Sequence, residues 1–197
     1  MSTESNLDPQ VPVQPWWQQH GETIRIFVLA LAIAFFLRTF IVEPRFIPSG
    51  SMEPTLQVGD RILVDKISQY WQEPQRGDIL IFYPPQSPAI DDTSKAYIKR
   101  LIGLEGDRIA VRDGKVYRNG EALNEPYIAE APNYRMRPVT VPEGHYWMMG
   151  DNRNHSNDSH IWGFLPKENL IGKATIRFFP LGDRLGAINE IATRSPL

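Results

Sequence analysis

The sequence predicts a mostly β domain that follows a single apolar helix. Three observations lead to this reading. Residues 26–37 form a run of 12 consecutive apolar residues. Beyond residue 60 the apolar runs are short, and Gly, Pro and the Gly-Asp pairs at 59–60, 77–78, 106–107, 150–151 and 182–183 break them up, which is the punctuation of turns between strands. Asp113-Gly114 and Asn119-Gly120 stand between apolar runs, and such pairs supply the positive φ that type I′ hairpin turns require.

Residues 1–23 contain three Pro and no Lys or Arg, so a flexible tail is expected. In 24–42 only Arg25, Arg38 and Thr39 are polar. A bilayer-spanning helix needs about 20 apolar residues. The segment reaches that length if Arg25 and Arg38 extend their charged heads to the two interfaces, with Trp16 and Trp17 at headgroup level. It has no basic stretch before it and no small-residue site after it, unlike a cleaved leader. A buried core helix is the alternative for so short a run. Glu4, Asp8 and Glu22 precede the segment and Arg38 and Arg45 follow it. Taken alone, the positive-inside rule therefore leaves the C-terminal domain in the cytoplasm.

Strands are expected at 61–66, 78–83, 96–102, 108–112, 115–118, 145–149 and 173–179. Residues 121–140 read as irregular, and the stretch from 183 onward has at most a weak helical pattern. The 197 residues carry a net charge of −2 and no cysteine. There is no basic surplus to bind nucleic acid. Disulfides, thiolate zinc sites and a cysteine nucleophile are excluded.

The chemistry begins at Ile47-Pro-Ser-Gly-Ser-Met-Glu-Pro-Thr-Leu56, where prolines bracket two serines around a glycine. Proline fixes φ and glycine permits tight backbone paths, so a rigid turn presenting one hydroxyl is expected. A serine needs a base to act as a nucleophile. His20 lies before the apolar run. His155 and His160 lie near Asp158, so a Ser-His-Asp arrangement stays open. Asp151, His155, Asp158 and His160 match no familiar zinc spacing. Lys99 interrupts the apolar strand at 96–102. A lysine buried there loses basicity and can serve as a base near neutral pH. Alternation alone does not decide whether Lys99 or Arg100 points inward.

Five segments in order, Pro48–Leu56, Gly59–Lys66, Arg76–Phe82, Tyr97–Asp107 and Gly150–Ser159, closely resemble the boxes of type I signal peptidases. These are membrane-bound Ser/Lys endopeptidases that remove signal peptides from exported proteins. The resemblance implies an antiparallel β-barrel-like catalytic domain, of a fold shared with self-cleaving repressors. It implies Ser51 as nucleophile, Lys99 as general base and Ser156 as the hydrogen-bond partner of Lys99. The Ser49 hydroxyl and the Ser51 N–H would form the oxyanion hole, where one donor typically contributes about 3–4 kcal/mol. Asp158 would support the site, and Asp151 and Arg100 would brace it as an ion pair. Ile47, Met52, Leu56, Tyr97 and Ile98 fall where the family forms shallow apolar pockets selecting Ala-x-Ala. No cofactor or metal is implied. The partners are signal peptides of preproteins, the lipid bilayer and the export machinery.

The organisation expected on this basis has a tail at 1–23, a transmembrane helix at 24–42 and a catalytic β domain from 43–104 and 142–183. A small accessory β-ribbon at 105–141 and a C-terminal tail at 184–197 complete it. Ser51 lies nine residues after position 42, and at no more than about 3.5 Å per residue it stays near a membrane surface. Phe40, Phe46, Trp162 and Phe164 are candidates to dip into the interface; core packing is the alternative for each, and it suits Phe164 better than Phe46. The family's orientation places the amino terminus inside and the domain outside, in a plasma or thylakoid membrane. The Ser159-His-Ile-Trp-Gly-Phe164 ending looks like cyanobacterial or plastid-type members. Two departures stand out. His160 replaces an arginine common in bacterial members, and Asn154 stands where an acid is common. An autoproteolytic regulator and an inactive membrane-attached scaffold are the rival readings.

Overall fold

The computed structural model describes residues 20–36, 38, 41–182 and 184–188. The chain divides into two compact units, the boundary falling between residues 39 and 40. Residues 1–19 of the expected tail at 1–23, with Trp16 and Trp17, positions 37, 39 and 40 of the apolar segment, Asp183 and residues 189–197 lie outside the described residues.

In the first unit, helix α1 covers Gly21–Phe36 and begins three residues before the expected boundary at 24. Glu22 lies in its first turn, where a negative charge meets the positive end of the helix dipole. None of its side chains is buried, and Ile26, Phe27, Val28, Leu29, Leu31, Ile33 and Phe35 are all exposed. Among the described residues no helix is long and apolar enough to cross a membrane.

The second unit is β-rich. In chain order its strands are β1 (Val42–Phe46), β2 (Arg61–Asp65), β3 (Ile79–Phe82), β4 (Tyr97–Gly103), β5 (Arg108–Arg112), β6 (Lys115–Arg118), β7 (Glu121–Ala122), β8 (Met136–Thr140), β9 (His145–Met149), β10 (Leu165–Pro166), β11 (Leu170–Phe179) and β12 (Gly186–Ala187). One short helix, α2 (Ser159–Trp162), precedes β10. All strand pairs are antiparallel. The larger sheet runs β1-β2-β11-β3-β4-β9-β10, with β12 paired to β11; the smaller runs β7-β6-β5-β8. The mostly β antiparallel class read from the sequence is the one the chain adopts. In the smaller sheet Asp113 and Asn119 take φ of 52° and 55°, as their turns require.

The segment expected as a small accessory β-ribbon at 105–141 is a four-stranded sheet, because β8 returns after an irregular stretch to pair with β5. The expected C-terminal tail also begins inside the fold. β12 pairs with Ile176 and Arg177 of β11, and Ile188 is fully buried. A strand of two residues and one apolar anchor give too little periodicity to be read in advance.

The larger sheet is covered on both faces. Ile79, Ile81 and Ile98 join Ile47, Met52, Leu56, Ile62, Val64 and Ile188 in one apolar cluster. Leu80, Phe82 and Leu101 join Tyr146, Met148, Trp162 and Leu165 in another. Trp162 is thus a core residue, in ring contact with Phe82, and does not face an interface. Phe164 packs on a third cluster through an edge contact with Trp147. Phe46 remains exposed.

Candidate active site

Position 51 sits on a single 3₁₀ turn, Gly50–Met52, that follows β1. Ser51 is 8% exposed, and Met52 beside it is fully buried. Lys99 comes from the middle of β4. Its Nζ donates to Ser51 Oγ at 2.7 Å and to the Ile98 carbonyl at 2.9 Å. Ser49 is exposed, and its Oγ lies 3.4 Å from Ser51 Oγ.

Alternation could not decide Lys99 because β4 is internal to the sheet. Register pairs Leu80 with Lys99 and Ile79 with Arg100. Successive residues of a strand point to opposite faces. Both cations are nevertheless buried, since both faces are covered. They meet different environments. Arg100 is matched by charge, donating to Asp151 from Nε at 2.8 Å and from Nη2 at 2.6 Å. Thr55 donates to the same carboxylate at 2.6 Å, and the Tyr127 ring lies 4.0 Å from the Arg100 guanidinium carbon. Lys99 has hydroxyl and carbonyl neighbours and 4% exposure. Burial pushes its ammonium down to about 8, against the opposing pull of Asp158 and Asp151.

The loop after β9 holds this arrangement in place. Asn152 donates its backbone N–H to the Ser51 carbonyl at 3.1 Å and its side-chain amide to the Gly50 carbonyl at 3.1 Å. Arg153 is fully buried; it donates to the Gly150 carbonyl at 3.0 Å and bidentately to Glu125 at 2.8 Å per bond. Asp158 is fully buried. It accepts the Gly150 N–H at 2.8 Å on one oxygen, and the His160 N–H at 3.1 Å and Nδ1 at 2.7 Å on the other. Asn154 accepts the Asn133 N–H at 2.9 Å and donates to the Ala131 carbonyl at 3.1 Å. An acid at that position could not make the second bond.

Ser156 is buried, and its Oγ has no hydrogen-bond partner among the described residues, so the expected bond to Lys99 is not made; Lys99 Nζ instead meets Ser51 Oγ and the Ile98 carbonyl of its own strand. Ser156 packs against Gly150, where an added Cβ would lie 2.2 Å from Ser156 Oγ and 2.5 Å from the Ser51 carbonyl oxygen. Thr55, Glu125, Tyr127, Asn152 and Arg153 were not singled out from the sequence. Glu125 and Tyr127 lie in the stretch read as irregular, and pairing across 28 residues leaves no local pattern.

Ser51 and Lys99 open onto a cleft of about 470 Å³ whose lining includes Pro48, Ser49, Ala96, Tyr97, Ile98 and His155. A second cavity of about 330 Å³ shares Pro48, Ala96, Tyr97 and Ile98 and adds Phe46 and Ile47. Met52 and Leu56 lie in the apolar cluster with Ile47 and Ile98. His155 is exposed; the side chains within hydrogen-bond reach of Ser51 Oγ are those of Lys99 and Ser49.

A family model described as signal peptidase, peptidase S26, matches residues 20–179. The chain belongs to the S26 signal peptidase family. It is 47% identical over 188 residues to the probable signal peptidase I-1 of Synechocystis sp., covering 93% of this chain and 96% of that one. It is 40% identical over 184 residues to the thylakoidal processing peptidase 1, chloroplastic, of Arabidopsis thaliana, covering 90% of this chain and 54% of that one. A solved signal peptidase I from Enterococcus faecalis V583 is 34% identical, covers 52% of this chain and 97% of its own, and aligns with a TM-score of 0.44. The resemblance to cyanobacterial and plastid members read from the sequence thus holds. This signal peptidase is a hydrolase, a serine peptidase of the class whose substrates are the signal peptides of preproteins.

Proposed function

We propose that Ser51 is the nucleophile and Lys99 the general base, and that the enzyme cleaves preproteins after Ala-x-Ala. The observation that carries this is the 2.7 Å contact between Lys99 Nζ and Ser51 Oγ at the wall of an apolar cleft. At an ordinary lysine value of 10.5 about one side chain in 3,000 is neutral at pH 7; at about 8 the share is about one in ten. Neutral Lys99 takes the Ser51 proton as Oγ attacks the scissile carbonyl. The Ser51 N–H and the Ser49 hydroxyl stabilise the oxyanion. The C–N bond breaks as Lys99 returns the proton to the leaving amine. An acyl ester on Ser51 remains. Lys99 then deprotonates a water that attacks the ester, the ester C–O bond breaks as Lys99 returns that proton to Ser51 Oγ, and the signal peptide leaves with a new terminal carboxyl group.

In this reading the Ile98 carbonyl orients Lys99, while Asp158, Asp151 and Arg100 hold the loop and β4 in register. Ile47, Tyr97 and Ile98 line the pockets that admit small side chains, and Met52 and Leu56 are core residues packed with Ile47 and Ile98 rather than lining residues. Residues 24–42 serve as the membrane anchor. The reading is supported by α1 being apolar on every side from Ile26 to Phe36, with no buried residue, as a lipid-covered helix is. The amino terminus lies on the cytoplasmic or stromal side and the catalytic unit on the extracytoplasmic or lumenal side of a plasma or thylakoid membrane. Long domains that follow a span translocate largely regardless of charge, which answers the contrary charge count. Delivery of substrate by the export machinery fits this placement.

The test uses full-length protein in detergent and a preprotein with an Ala-x-Ala site, with sequencing of the new amino terminus. Ser51→Ala and Lys99→Ala are expected to abolish cleavage and His155→Ala to retain it. An active Lys99→Ala with an inactive His155→Ala would replace the lysine by a histidine base.

A further inference from the structure

The cleft at Ser51 and Lys99 continues at two ends into different cavities. Through Pro48, Tyr97 and Ile98 it joins the cavity of about 330 Å³ that has Phe46 and Ile47 in its wall. Through Asn152 and His155 it joins a cavity of about 320 Å³ whose wall includes Glu53 and Glu130. The two side cavities share no lining residue. A polypeptide with its scissile bond at Ser51 Oγ has two arms, one for each end. When the apolar end takes the residues before the bond, the other end is left for those after it.

The two ends differ in charge. Arg45 and Lys95 in the wall of the apolar cavity are already answered, Arg45 by Glu43 at 2.7 Å and Lys95 by Asp92 at 3.2 Å. At the other end the charges are carboxylates. Among the described residues no Lys or Arg lines that cavity, and neither Glu53 nor Glu130 takes part in an ion pair. Glu130 accepts one hydrogen bond, from the Asn154 amide at 3.2 Å. Glu53 lies against the turn that carries Ser51, where a Cβ built on Gly50 would meet its Cδ and Oε1 at 3.0 Å. Asn152, which donates to the Gly50 and Ser51 carbonyls, belongs to the walls of both cleft and cavity. An unanswered negative charge thus stands one step from the nucleophile's turn, on the side away from the apolar pockets.

We propose that this cavity is the subsite for the first residues of the mature protein, and that Glu53 and Glu130 make it select by charge, favouring Lys or Arg there and rejecting Asp or Glu. The inference rests on Ser51 being the nucleophile and on the apolar pockets taking the signal peptide. The departing arm is still attached when the first bond-breaking step begins, so its fit enters kcat/KM. One close charge pair in water changes an equilibrium about fivefold. Replacing a lysine by a glutamate turns that gain into a loss, so a preference of about tenfold is expected at low ionic strength. Salt screens charges of this exposure and should shrink it.

The test uses full-length protein in detergent at pH 8 and low salt, with preproteins that differ only at the second and third residues after the cut, both Lys or both Glu. Successive side chains of an extended chain point to opposite sides, so the pair covers both. The readout is the ratio of the two kcat/KM values, which a merely structural loss leaves unchanged. Wild type is expected to prefer the Lys substrate about tenfold. Glu53→Gln and Glu130→Gln should each lower the ratio, and the double variant should bring it to about one. High salt should bring the wild-type ratio toward one as well. A wild-type ratio of one, or a ratio that stays the same in the double variant, would overturn the proposal. So would an equal loss on both substrates with no change of ratio. Circular dichroism checks folding, and if Glu53→Gln does not fold, Glu130→Lys decides by lowering the ratio or leaving it unmoved. Cleavage that survives Ser51→Ala would remove the reading on which this rests, whereas a ratio of one in a Ser51-dependent enzyme removes the subsite alone.

Discussion

Gly150→Ala is expected to disable the enzyme through the backbone of residue 51. An added Cβ would lie 2.5 Å from the Ser51 carbonyl oxygen and 2.2 and 2.6 Å from Ser156 Oγ and Cβ. A serine hydroxyl can rotate away; a backbone carbonyl cannot. Ordinary contact begins at 3.4 Å and tolerable crowding at 3.0 Å, so the two backbones must separate by 0.5 to 0.9 Å. Neither side yields freely. The Ser51 carbonyl is held by the Asn152 N–H at 3.1 Å, and Gly150 is held at both ends by Asp158 and Arg153. A displacement of this size at the proposed nucleophile costs on the order of 100-fold in kcat, and overpacking costs about 1–3 kcal/mol of stability. The assay is kcat at saturating peptide substrate, with urea denaturation for stability. Adding Ser156→Gly removes both Ser156 atoms and is expected to leave kcat low, because the Ser51 carbonyl remains. A Gly150→Ala enzyme within threefold of wild type, or one restored by Ser156→Gly, would refute the reasoning.

Three further expectations concern buried charge. With Lys99 as the proposed base, kcat/KM should rise about fivefold from pH 7 to pH 8 and less than twofold from pH 8 to pH 9, given a Lys99 value of about 8; a limb centred above pH 10 would contradict it. The same value lies below that of an unfolded lysine, so the unfolded chain binds more protons between about 8 and 10.5. The cost of burying Lys99 is thus fully present below pH 8 and is relieved as pH rises. Lys99→Met at pH 7 should accordingly lose activity yet melt about 2–4 °C higher, as about 1 kcal/mol gives in a chain of this size; an unchanged or lower midpoint would count against the burial cost. Glu125→Ala leaves the Arg153 guanidinium buried without its carboxylate and should cost about 3–5 kcal/mol in chemical denaturation; a cost under 1 kcal/mol would show that the pair is not needed.

Local signals were the legible part of the fold. Asp113-Gly114 and Asn119-Gly120 marked their turns because positive φ has a strong residue preference, and β5, β6 and β9 lie where the apolar runs put them. Serine and lysine of the site were legible through five ordered segments, although no single segment would have sufficed. The orientation of Lys99 was not legible from alternation. Leucine, isoleucine and two cations all become buried along β4, and an internal strand has no solvent face to mark. The Arg100–Asp151 pair was implied by the resemblance, but the rest of the bracing was hidden. Arg153 finds Glu125, and Arg100 finds the Tyr127 ring, across long stretches of chain. Such partners are chosen by topology. Trp162 misled for a related reason, because an aromatic next to a polar loop suits an interface and a core equally until Phe82 is placed beside it.

The measurement that bears most directly on the Ser/Lys dyad uses the absence of cysteine from the chain. Lys99→Cys introduces a single thiol at the wall of the cleft, which 2-bromoethylamine converts to a lysine analogue with sulfur in its side chain. Sulfur makes that amine less basic than lysine's. The unmodified Lys99→Cys enzyme is expected to be inactive. After one modification, verified by intact mass, cleavage should return with its acid limb moved to lower pH. Full modification without return of cleavage, or return with an unmoved limb, would contradict Lys99 as the base that activates Ser51.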